Sequence, residues 1–117
     1  MSDQTAEAIM RHSNRNQSLK LLFEEKGVSL DEPRPIDFHF LAWSQRDAAV
    51  VAKRLYEMGF LIKLLAPAPI ENDPDRWSVE AGAKIPLAES LGGSLTEKLV
   101  HLAAMEDAVF DGWGTSV

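Results

Sequence analysis

Residues 36–43 carry the clearest pattern in the chain. Ile36, Phe38, Phe40 and Ala42 form one set, and Asp37, His39, Leu41 and Trp43 fall between them. A period of two predicts a strand with one buried face. The spacing then turns helical. Ser44 is a good N-cap, and Ala48, Val51, Ala52 and Leu55 form one stripe over 45–58, with Lys53, Arg54 and Glu57 off it. Gly59 closes that helix, and 60–66 is a short apolar strand interrupted by Lys63. Pro67, Pro69 and Pro74, with Asn72-Asp73, mark a loop. Residues 76–82 alternate again, with Trp77, Val79 and Ala81 together.

Residues 84–93 predict irregular chain. Ser94 and Glu97 then have capping-box spacing, opening a helix to Glu106 with Leu95, Leu99, Leu102 and Ala103 inward. Residues 109–117 predict a last strand, poor in isolation because of Gly112 and Gly114, so that a neighbour must stabilise it. Upstream, Leu19, Leu22 and Phe23 make one stripe on a helix over 14–26. Gly27 follows as its left-handed residue, placing Val28 against Phe23. Residues 1–13 are expected to fray.

After the first helix the order is β-α-β-β-α-β. It predicts an α+β fold, a ferredoxin-like two-layer sandwich with an additional N-terminal helix. One domain over 1–117 is expected, with 14–26 as the added helix and 36–117 as the core. Phe38, Phe40, Val51, Leu55, Val79, Leu99 and Leu102 would fill the space between helices and sheet. The other sheet face would show Asp37, His39, Leu41 and Trp43 and, by parity, Asp111, Trp113 and Thr115. Two placements of the tryptophans follow. They form an exposed docking patch, or the first helix covers them through Leu19, Leu22 and Phe23. If Gly112 sits at positive φ or against a close neighbour, its replacement by alanine should destabilise.

Charge alters this picture. Eighteen acids against twelve bases give a net charge of −6. Nine acids and four bases lie from Phe60 onward, so −5 of the −6 is in the second half. That balance excludes a non-specific nucleic-acid binder and favours a basic protein partner. RNA stacking on the sheet is disfavoured too, because an RNP1 pattern is missing and the face carries acids. There is no cysteine, so neither disulfides nor thiolate metal sites arise. No apolar run approaches a membrane span, and the N-terminus has no signal-peptide pattern. A cytoplasmic protein is expected.

Catalytic patterns are absent: no G-x-S-x-G elbow, P-loop or G-x-G-x-x-G. His12, His39 and His101 lack metal-site spacing, and no metal or cofactor is expected. Asp37 and His39 are the one acid–imidazole pair, two residues apart on one strand face.

The tail Phe110-Asp111-Gly112-Trp113-Gly114-Thr115 resembles the Y-D-G-W-G-T ending of the RraB-like family, protein inhibitors of ribonuclease E. Pro33-Arg34-Pro35-Ile36-Asp37 before an aromatic strand is similar to that family's P-R-x-V-D-H segment, although Phe38 stands where its His follows the Asp. The helix ending Met58-Gly59-Phe60 matches its helix-Gly-aromatic junction. Most of 27–117 is covered, the D-G-W tail being the most specific part.

The resemblance implies a non-enzymatic regulator that binds a ribonuclease E-type enzyme through a basic surface and damps its RNA cleavage, without touching nucleic acid or membrane itself. Asp37, His39, Trp43, Asp111 and Trp113 are the candidate partner-binding residues, with Gly112 and Gly114 as structural parts of the motif. The protein would be a monomer or weak dimer. Two other readings fit the same residues. One is an interaction adaptor with no nuclease link. The other is a small-molecule or enzymatic site around Asp37 and His39.

Overall fold

Ile36, Phe38, Phe40 and Ala42 are all buried, and the strand they define, β1 (Pro33–Ala42), sits inside the sheet. The computed structural model describes residues 2–116. Its other elements are α1 (Asp3–Glu25), α2 (Gln45–Glu57), β2 (Leu61–Pro67), β3 (Trp77–Pro86), α3 (Leu87–Leu91), α4 (Gly93–Met105) and β4 (Ala108–Gly114). The fold is mixed α+β. One four-stranded antiparallel sheet has the order β2-β3-β1-β4, so β4 lies beside β1.

The core lies between the sheet and the helices. Phe38, Phe40, Val79 and Ala81 meet Val51 and Leu55 of α2 and Leu99 and Ala103 of α4. Phe38 packs edge-on against Phe60, with ring centroids 5.3 Å apart. Two helix ends form as their sequences predict. Val28 donates its N–H to the Phe23 carbonyl at 2.9 Å, and Phe60 donates to Leu55 at 3.0 Å. Gly27 and Gly59 supply the positive φ between them. Ser44 caps α2, its hydroxyl accepting from the Asp47 N–H at 3.1 Å.

Three elements differ from expectation. Helix α1 begins at Asp3 rather than Asn14, and Ser2 caps it by accepting from the Thr5 N–H. Its buried side is His12, Asn16 and Phe23, while Leu22 is 42% exposed and Leu19 half-buried. Residues 84–93 are ordered as the end of β3 and as α3. The capping box does not form. Helix α3 runs into α4 with Gly92 alone between them, so Gly92 is the N-cap and Ser94 lies inside the first turn. Helix α4 also buries Thr96 and Val100 beside Leu99 and Ala103, because it packs on α1 as well as on the sheet. Leu95 and Leu102 are only partly buried.

Candidate functional site

Strand β4 decides where the candidate residues go. Phe110 pairs with Phe40, and Gly112 with His39, so the register shifts and Asp111 is an extra residue. This is a β-bulge, and Gly112 at its centre has φ +135°. The bulge resets the alternation. Phe110 and Trp113, three residues apart, both enter the core, and Trp113 pairs with Phe38. The expectation that Trp113 shares the open face with Trp43 is therefore corrected. Trp113 is 4% exposed and Trp43 45%.

Trp113 is indeed covered by the first helix, but by that helix's polar residues and within the helical layer. Its indole N–H donates to Asn16 Oδ1 at 2.9 Å. Arg15 donates to the Trp113 carbonyl at 3.0 Å, with its guanidinium carbon 5.6 Å from the ring centroid. Asn16 Nδ2 donates in turn to Thr96 Oγ1 at 3.1 Å. One turn earlier, His12 Nε2 lies 2.9 Å from the Phe110 carbonyl, and the two rings stack at 4.7 Å. A carbonyl only accepts, so Nε2 carries the hydrogen. Burial is the main reason the His12 pKa falls below its ordinary value, with Arg11 and Arg15 adding to that and the Phe110 bond opposing it.

The face away from the helices carries Asp37, His39 and Leu41 of β1. Asp37 accepts from Lys63 Nζ at 2.7 Å, which raises the lysine's pKa. His39 Nδ1 lies 3.9 Å from Glu80 Oε1 on β3. Asp37 and His39 thus each face a charged group on another strand. Trp43 stands at the end of β1, with Val109 opposite Leu41 on β4. Asp111 is exposed at the bulge, on the edge beside His39. The structure sets Asp37 and His39 on β1 and Asp111 on the adjoining β4, leaves Trp43 just past the end of β1, and buries Trp113 in the core behind them.

Lys63 and Glu80 were missed by pattern reading, although parity in β3 puts Glu80 opposite His39. Lys63 had a signal too: it is the charge interrupting an apolar strand, and it sits at the register shift between Ile62 and Leu64. Among the described residues, no group of three or more His, Asp or Glu could hold a metal ion, and no helix is long and apolar enough to cross a membrane.

These features define a class: a small α+β domain offering a mixed charged and apolar sheet face, its edge strand clamped by an extra helix. The regulator of ribonuclease activity B (RraB) family matches residues 14–115, and the chain belongs to that family. No curated protein matches it. The match spans Asn16, Asp37, His39, Trp43 and the whole D-G-W tail. It is a family of regulators of ribonuclease activity.

Proposed function

We propose that this protein binds a ribonuclease E-type endoribonuclease and lowers its RNA cleavage without doing chemistry itself. The observation that carries the reading is the family match over residues 14–115. The net charge of −6 supports a basic partner surface, since complementary charge speeds and orients docking. We assign the contact to the open sheet face and the adjoining end of β1, with Asp37, His39 and Asp111 on the face and Trp43 at that end reaching the partner. Trp113 acts from behind by fixing β4. The sheet order, read from β4 as 4-1-3-2, with two β-α-β crossovers, supports a ferredoxin-like sandwich with an added N-terminal helix; a single domain acting in the cytoplasm is part of the same proposal.

The test is calorimetric titration against the cognate ribonuclease, with RNA cleavage followed in parallel. Binding should weaken as salt is raised and track the loss of cleavage. No heat and no inhibition at tens of micromolar protein in low salt overturns the reading. Binding without inhibition leaves an adaptor.

A further inference from the structure

Where α4 passes into β4, the first turns of α1 come alongside and leave a cleft of about 360 Å³. Trp43, Ala8, Val100 and Val109 give it apolar walls, and Thr5 and Asp107 border it with polar groups. The volume lies at the small end for ligand pockets and suits one long side chain.

Three sources of negative potential meet there. The first is Asp107. It directly follows the α4 cap residue Glu106, and among the described residues it forms no ion pair. Glu106, by contrast, is held by Arg54 at 2.9 Å. The second is the C-terminal end of α4, whose last carbonyls carry partial negative charge and whose last turn contains no base. The third is the electron-rich face of the Trp43 indole, 45% exposed. The opposing positive end of α1 is offset locally by Asp3 in its first turn and by the Ser2 cap.

A carboxylate, the negative end of a helix and an open indole together match a planar cation with several N–H donors. A guanidinium can stack on the ring while forking onto the acid, and an ammonium cannot. We propose that this cleft receives an arginine side chain of the protein partner. The assignment rests on the reading above that the protein docks on a basic surface, and it names the residue type recognised at the Trp43 end.

The experiment titrates blocked Gly-Arg-Gly and Gly-Lys-Gly peptides into the full chain and follows amide and indole N–H resonances. Trp43→Phe assigns the indole signal. The arginine peptide should shift the Trp43 indole and the amides of 107–109 saturably, in the millimolar range. The lysine peptide, and the arginine peptide on Asp107→Asn, should bind about tenfold more weakly. Asparagine tolerates the positive φ of Asp107, +50°, so that variant keeps its fold and melting temperature.

An unmoved Trp43, equal affinity for the two peptides, or no effect of Asp107→Asn overturns the assignment. So does Asp107→Asn binding the cognate ribonuclease as tightly as wild type. If wild type binds the arginine peptide but not the ribonuclease, the nuclease reading falls and the cleft's guanidinium chemistry stands. If wild type binds the ribonuclease while the peptide leaves Trp43 unmoved, the cleft assignment falls alone.

Discussion

Trp113 and Asn16 are 97 positions apart in sequence and joined by a buried hydrogen bond of 2.9 Å from the indole N–H to the amide oxygen. The bond ties the D-G-W tail to the N-terminal helix. It makes the tryptophan of the motif a part of the core, and it gives a helix with a polar buried side a reason to dock.

Trp113→Phe should therefore lower stability by about 1–3 kcal/mol, chiefly by leaving Asn16 Oδ1 buried without its donor. Trp113→Ala should cost ~3–5 kcal/mol. In a urea-unfolding double-mutant cycle, Trp113→Phe with Asn16→Leu should be less destabilising than the sum of the singles, because the unpaired oxygen is gone. Folded Trp113→Phe should bind the ribonuclease as wild type does. Lost binding with an unchanged unfolding curve would place Trp113 at the interface instead.

His12 gives stability a pH dependence. Its folded pKa lies below the ordinary 6.5, mainly through burial. The unfolded chain thus binds the proton more readily, and stability rises with pH in this range. The His12 contribution is complete above about pH 6.5 and is lost as pH falls below that value toward the depressed folded pKa. Urea midpoints at pH 8, 7, 6 and 5 should fall most steeply over the last two steps. His12→Gln, whose amide can still donate toward Phe110, should flatten that fall. An unchanged slope in the variant would assign it to other groups.

Gly112→Ala isolates the bulge. A Cβ there has room, the nearest atom being Arg15 Nη1 at 3.9 Å, so the cost is conformational and not steric. At φ +135° an alanine should destabilise by about 1–3 kcal/mol. If the chain escapes by straightening the bulge, Trp113 turns outward and its emission shifts to the red. Calorimetry and fluorescence on one sample separate the two responses. A wild-type melt with wild-type emission would show that the glycine is dispensable.

Most of the sheet and α2 was legible because each buries a single apolar face. Ile36 to Ala42 read correctly from period two, and Ala48 to Leu55 from period 3.6. Legibility ended where polar groups went inside. The first three turns of α1 were invisible because their buried anchor is His12, whose partner is 98 residues away, and the next anchor, Asn16, likewise bonds to groups 74 to 97 residues away. Parity failed in β4 at one bulged residue, which inverted the assignment of Trp113. The glycine inside that strand was the local sign of it. The Ser94 capping box failed because α3 precedes it without a loop, a fact set by Leu87 and Ser90 being buried. On the open face, Asp37 and His39 were legible from period two, while the charged groups opposite them, Lys63 and Glu80, needed the register; Trp43 lies just past the end of β1 and lines a cleft with α1 and α4.

The Asp37–Lys63 bridge leads to a prediction that runs against the usual effect of deleting a contact. The pair is exposed, so it should add little to stability. Its ammonium stays charged near neutrality, since the Asp37 bond raises the lysine's pKa, so pH does not release the carboxylate. A cation from a basic partner must then displace Lys63 or share Asp37 with it, while being repelled by the ammonium. Lys63→Ala frees the carboxylate and removes that like charge, and should tighten binding to the ribonuclease with no change in melting temperature. Asp37→Asn should weaken binding with equally little effect on the melt. Both differences should shrink as salt rises from about 0.05 to 0.5 M, roughly the range over which the screening length falls below the width of the face. Titrations of the three proteins at both salts provide the check. Weaker binding by Lys63→Ala at low salt would show that the partner meets the lysine, and that the face is read by acidic groups rather than basic ones.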